Sequence, residues 1–288
     1  MPVPGAIRIG GVGGTAKEEP VNTHTVTVRA SSLSELLDCP ARWKAKHLDG
    51  IRMPYSGPAW LGTALHRSTA AFDQARLDGD PVTADDTAGV LVDALHNPNA
   101  DVVWDEITPR KAEPIALTLH TRYCADVAPR HDYVGVEVTC EALDVAVPEQ
   151  DITLRLTGTT DRIRRLPDGR VGIADLKSGK RAVGTDGMAV TKGHGPQLGV
   201  YELLAEQAIG RPMEAPAEII GLQTTNHARV GTGTIPNARA ALVGVDGTPG
   251  MLEHAALILR HGLFHGNPRS SLCSPKYCPA WTGCPYHE

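Results

Sequence analysis

Two aspartates and a lysine close one short stretch, Asp161-Arg-Ile-Arg-Arg-Leu-Pro-Asp-Gly-Arg-Val-Gly-Ile-Ala-Asp175-Leu-Lys177. Pro167-Asp168-Gly169 is a turn signal between two β-rich runs. A three-residue hairpin loop with Gly169 in the left-handed conformation pairs Leu166 with Arg170. Counting outward sets Asp161 opposite Asp175, and Lys177, two residues on, projects from the same face as Asp175. Facing carboxylates repel each other across a sheet. A divalent cation between them removes that repulsion, and such hard oxygen ligands suit Mg²⁺ or Mn²⁺. A neighbouring lysine can orient a water or stabilise charge on a phosphoryl group in transfer. Spacing alone leaves a second reading open, two exposed aspartates on a polar edge. A one-residue slip in the turn separates their faces and favours it.

Other residue types could join such a site. Gln197 and Tyr201 stand four apart on a predicted helix and so share one face. His66 lies on an early predicted helix in Gly62-Thr63-Ala64-Leu65-His66, although a lone helical histidine is more often structural than a ligand. Glu137, among Val134, Val136 and Val138, is either solvent-facing or aimed at a site, and carries less weight than the aspartates. Gly10-Gly11-Val12-Gly13-Gly14 invites a phosphate-loop reading, but no Gly-Lys-Ser/Thr follows and no helix pattern opens there. No Gly-x-Ser-x-Gly elbow supports a hydrolase triad.

Cys273, Cys278 and Cys284 form C-x₄-C-x₅-C near the end of the sequence, and Cys39 lies far upstream. Three clustered thiols plus one distant thiol make a four-ligand set for zinc or an iron–sulfur cluster. The commoner two-residue zinc spacings are missing, and prolines follow Cys39, Cys278 and Cys284. Both features favour a [4Fe–4S] cluster over zinc. Cys124 and Cys140 stand alone in apolar stretches and read as core residues.

The elements that must position these groups follow from periodicity. Residues 1–23, rich in Gly, Pro and small side chains, are expected to form a flexible tail, with one domain over 24–288. His24–Arg29 alternates as a strand. A helix is expected from Ser32, with Glu35 completing a capping box, and another from Pro40. Helices are predicted over 59–77, 84–95, 112–127, 197–209 and 252–264. Pro196 and Gly210 bracket the fourth of these. Strands are predicted over 133–140, 152–166, 171–176 and 218–224. This order implies a mixed α/β layer fold.

The chain has 288 residues, 41% of them hydrophobic and 21% charged, as a globular protein requires. With only two Phe, the core must rest on Leu, Val, Ile and Ala. A formal net charge of −5 excludes a basic DNA-coating protein but not an enzyme that grips nucleic acid locally. Three basic clusters (Arg42, Lys44 and Lys46; Arg162, Arg164 and Arg165; Lys177, Lys180 and Arg181) are each expected to be solvated faces. No apolar run spans a membrane and no secretory pattern opens the chain, so a cytoplasmic location is expected.

Taken together, these segments resemble the RecB-like branch of the PD-(D/E)xK nucleases, in the four-cysteine form found in CRISPR-associated and phage-borne exonucleases. Gly62–His66 is similar to the family's G-x-x-x-H helix. Gly158-Thr-Thr-Asp161 resembles its first metal-binding strand, here with Thr160 where the family name places a proline. Asp175-Leu176-Lys177 resembles its (D/E)xK element, Gln197-x-x-x-Tyr201 its Q-x-x-x-Y helix, and Cys39 with the C-terminal triplet its cluster ligands. The resemblance spans nearly the whole chain after the tail. It implies a restriction-endonuclease-like α/β core, with a mixed central sheet flanked by helices and its two ends joined by an Fe–S cluster.

The implied activity is Mg²⁺- or Mn²⁺-dependent hydrolysis of DNA, acting on single-stranded ends in recombination, repair or CRISPR spacer acquisition. His66, Asp161, Asp175 and the Leu176 carbonyl would bind metal, Lys177 would act in catalysis, and Gln197 and Tyr201 would support the site. No helicase motif occurs, so no motor is expected within this sequence. A catalytically silent DNA-binding or assembly module of the same fold is the alternative.

Overall fold

A computed structural model describes residues 7–8 (backbone only), 24–244 and 247–287. The strands are β1 (Ile7–Arg8), β2 (His24–Arg29), β3 (Tyr55–Ser56), β4 (Val102–Val103), β5 (Asp132–Val147), β6 (Ile152–Arg165), β7 (Val171–Gly179), β8 (Ala217–Gln223) and β9 (Val230–Ile235). The α-helices are α1 (Ala30–Asp38), α2 (Pro40–His47), α3 (Gly57–Asp78), α4 (Ala84–His96), α5 (Pro109–Arg122), α6 (Gly195–Ile209), α7 (Ala238–Val243) and α8 (Met251–His261).

Among the described residues, seven strands form one mixed sheet, ordered β1-β5-β6-β7-β8-β9, with β2 also paired to β6. β5, β6 and β7 run antiparallel in turn, whereas β7 and β8 run parallel. Helices cover both faces. Leu33 and Leu36 of α1, Leu198 and Leu204 of α6 and Leu252 of α8 share one core with Ile173 and Ile219 of the sheet. Leu61 and Leu65 of α3, Leu91 of α4 and Leu119 of α5 share a second core with Ala174, Leu176, Ile220 and Leu222. Adjacent residues Ile219 and Ile220 thus feed opposite cores, as a strand buried on both faces requires. The result is an α/β fold with a mixed central sheet flanked by helices, consistent with a restriction-endonuclease-like core.

β6 shares one edge between two partners. Its first half, Ile152–Thr157, pairs with β2, and its last four residues, Arg162–Arg165, pair with β7. No pairing covers positions 158–161 on that edge among the described residues, so the sheet is notched there. The hairpin follows the turn chemistry. Leu166 N–H donates to the Arg170 carbonyl, Gly169 has φ +88°, and Arg162 pairs with Ala174.

Several expectations need correction. The first helix begins at Ala30, and no capping box forms at Ser32. Ser32 is buried inside the first turn, donates to the Arg29 carbonyl and accepts from Trp43 Nε1. Glu35 turns instead to Arg42 and Lys46. β5 runs seven residues beyond Cys140, to Val147, across an irregularity between Cys140 and Leu143. β9, α7 and the β3–β4 pair were not anticipated. Arg42, Arg162 and Arg164 are buried rather than solvated, because each meets a carboxylate inside the fold. Within the expected tail, Ile7–Arg8 pairs in parallel with Val145–Ala146. The remainder of that tail, including the glycine run at 10–14, lies outside the described residues.

Cys124 and Cys140 are buried, as expected. Among the described residues, no helix is long and apolar enough to cross a membrane.

Candidate active site

At the notch, β7 moves off the β6 ladder and the Leu176 N–H donates to the Asp161 carboxylate instead, at 2.8 Å. The hairpin thereby brings Asp161 and Asp175 together at the head of an open pocket of about 780 Å³. That pocket is also lined by His66, Glu137, Leu176, Lys177, Gln197 and Tyr201. All the residues singled out by the hairpin and helix patterns therefore meet in one place. The polar-edge reading is overturned for Asp175, which is only 2% exposed.

Helix α3 delivers His66. Ser56 caps its start by accepting from the Ala59 N–H, Pro58 sits in its first turn, and left-handed Gly79 ends it. A close approach sets its position on the sheet. A Cβ at Gly62 would lie 2.3 Å from Ser178 Oγ of β7, so the serine hydroxyl occupies the space that the glycine leaves. His66 Nδ1 then stands 3.4 Å from Asp161 Oδ2.

Glu137 enters from β5. In the β5–β6 register it falls opposite Asp161, between the pairs Val136–Arg162 and Val138–Thr160. Its φ is +46°, a conformation that costs a non-glycine residue about 1–3 kcal/mol. Donor atoms of His66, Glu137 and Asp161 all lie within 4.8 Å of one another, the only such group among the described residues.

Electrostatics mark the pocket as a cation site. Burial, and then the charge of Asp161, raise the Asp175 carboxyl above the usual carboxylate range, against the opposing pull of Lys177. Glu137 is raised for the same two leading reasons, burial and Asp161. Lys177 Nζ lies 2.6 Å from Asp175 Oδ2, yet that buried oxygen accepts no well-aligned hydrogen bond. Crowded carboxylates from Glu137, Asp161 and Asp175 in one pocket are the donor set a hard divalent cation takes.

Helix α6 supplies the opposite wall. Gln197 Nε2 donates to the Tyr201 hydroxyl at 3.1 Å, as their spacing implied. Gly158 lies close beneath Tyr201, where an added Cβ would come 2.8 Å from the ring. His194, at the head of α6, is pushed down to about 4 by burial and then by the charge of Lys177.

Beneath the carboxylates is a residue that the sequence reading placed on the surface. Arg162, fully buried, donates to Asp73 Oδ2 (2.7 Å), the Asp161 carbonyl (2.7 Å), Glu137 Oε1 (3.2 Å) and Thr69 Oγ1 (3.3 Å). Tyr123 also donates to Asp73, at 2.5 Å. This network ties both acidic strands to α3.

The cysteines form a second locus. Cys39, Cys273, Cys278 and Cys284 line one small pocket, with Trp281 beside them. The Asn267 N–H donates to Cys39 Sγ at 3.4 Å, and Ala41 N–H donates to the His265 carbonyl at 3.0 Å. Burial raises the Cys278 thiol, with Cys39 and Cys284 adding to the rise. The chain's N-terminal helices and its last segment are therefore in direct contact.

The family model of the PD-(D/E)XK nuclease superfamily matches residues 27–285. No curated protein sequence matches the chain. One similar solved structure, described as "Crystal structure of SSO0001", is 13% identical with a TM-score of 0.41, over 94% of this chain and 88% of that one.

Proposed function

Since the chain belongs to the PD-(D/E)XK nuclease superfamily, we propose that it is a metal-dependent DNA exonuclease of the RecB-like, four-cysteine branch. The observation that carries this reading is the meeting of Asp161, Asp175 and Lys177 with His66 and Glu137 in one open pocket. His66, Asp161 and Asp175 hold the cation, with Glu137 beside them and the Leu176 carbonyl as a further ligand. A divalent cation there supplies Lewis-acid charge neutralisation to a phosphoryl group.

The protein's own groups do the rest. Lys177 sets a positive charge beside Asp175, where it stabilises an oxyanion developing on phosphorus. Asp161 is held by the Leu176 N–H, so its second oxygen stays free for the cation. Gln197 and Tyr201 lock each other by hydrogen bond and confine the strand against the carboxylates.

The four cysteines bind a [4Fe–4S] cluster that staples the two ends of a single nuclease domain over residues 24–288. The prolines after Cys39, Cys278 and Cys284 and the lack of two-residue spacings between the cysteines support the cluster over zinc. The substrate is DNA with single-stranded ends, in recombination, repair or CRISPR spacer acquisition.

The test is digestion of end-labelled single-stranded DNA with Mn²⁺, prepared without oxygen, comparing wild type with Asp175→Asn. Degradation by wild type alone is expected, and the label reads the polarity. No degradation by either protein, with the fold intact, would leave a silent DNA-binding module instead.

A further inference from the structure

A second groove, of about 800 Å³, adjoins the catalytic pocket, and Ala59 at the start of α3 lines both. Its floor and walls come from the 51–56 segment, from α2 and from the cysteine-bearing segment around Lys276 and Tyr277. Among the described residues, five of the sixteen exposed large apolar side chains gather here: Ile51, Tyr55, Val103, Leu272 and Tyr277. Scattered apolar residues are ordinary on a surface, but such a concentration marks a contact site.

Of the four basic residues that line the groove, Arg42, Lys46 and Lys276 are already paired with Glu35, Asp38, Asp105 and Glu106, which leaves Arg52 to meet an anionic occupant. Arg52 is exposed and makes no ion pair among the described residues. Tyr55 is 48% exposed and braced edge-on by Trp60, with ring centroids 5.4 Å apart, so its free face is held in place. An exposed tyrosine face beside an unpaired cation is what a single strand uses, through base stacking and a phosphate contact.

We propose that this groove carries the unpaired strand on its way to the catalytic pocket, with Tyr55 stacking a base and Arg52 meeting a phosphate. The inference deepens the nuclease reading and rests on it for the direction of travel. It makes the enzyme's affinity depend on strand length, because a di- or trinucleotide fills only the catalytic pocket.

Fluorescence anisotropy tests it directly. A labelled long single strand is titrated, without divalent metal, into the full chain as wild type, Arg52→Glu and Tyr55→Ala. Both positions are exposed, and circular dichroism checks that the variants fold. Each variant should raise the Kd about tenfold or more, the loss of roughly one stacked base or phosphate contact. Trinucleotide cleavage should stay unchanged while the KM for the long strand rises. Unchanged Kd in both variants would overturn the proposal and leave the groove to a protein partner. If wild type binds the strand through this groove but never cuts it, the nuclease reading fails and the groove assignment stands.

Discussion

Arg162→Met should be among the most damaging single changes in the protein. The guanidinium is fully buried and makes four hydrogen bonds, the shortest to Asp73 Oδ2 and the Asp161 carbonyl, both 2.7 Å. Methionine fills much of the space but leaves Asp73, itself fully buried, with only the Tyr123 hydroxyl on that oxygen. Stranding a buried charge costs about 3–5 kcal/mol. Burial already raises the Asp73 carboxyl, and Arg162 is the main opposing influence. Its loss must raise that carboxyl further. A folded-state pKa above the unfolded one favours the protonated native form, so the penalty grows as pH rises between those two values. It should therefore shrink in mildly acidic buffer.

Urea unfolding at two pH values measures this, and a double-mutant cycle isolates the pair. Asp73→Asn combined with Arg162→Met removes both charges and should recover a large part of the loss. A single-variant loss below about 1 kcal/mol, or a double variant no more stable than Arg162→Met, would refute the coupling. Cleavage should fall as well, since Glu137 loses a donor and the Asp161 backbone its tether.

Two further predictions concern other parts of the frame. Burial alone would lower His131, but the 2.7 Å contact with Glu218 Oε2 outweighs it and raises the ring's pKa. The resulting stabilisation is complete below the unfolded value of about 6.5 and is lost as pH rises through the folded value. The stability gap between wild type and His131→Gln should thus be wider at pH 6 than at pH 9, and a pH-independent gap in urea titrations would exclude this pairing. Gly158→Ala should drive a Cβ against the Tyr201 ring and cost about 1–3 kcal/mol. Tyr201→Ala in the same chain should relieve that strain in thermal melts, and no relief would place the clash elsewhere.

Most of the catalytic pocket was legible because its signals are local. The Asp161–Asp175 register follows from three turn residues, with Gly169 at φ +88° closing the loop as its lack of a Cβ permits. Gln197 and Tyr201 meet because a helix puts positions four apart on one face. The helix that carries His66 was readable from apolar periodicity, and the fold class from the order of helices and strands.

Other features depended on partners far away in the chain. Alternation within β5 left Glu137 either solvent-facing or aimed at a site, and its place opposite Asp161 in the β5–β6 register, beside His66 of α3, decides for the site. Composition marked Arg162 as a surface residue, whereas Asp73, 89 positions away, makes its burial tolerable. The join between Cys39 and the last segment likewise rests on contacts such as Asn267 with Asp38, 229 positions apart. Turns and helix faces are set by neighbours within a few residues. The burial of a charge and the closing of a groove are set by whatever the rest of the fold brings against them.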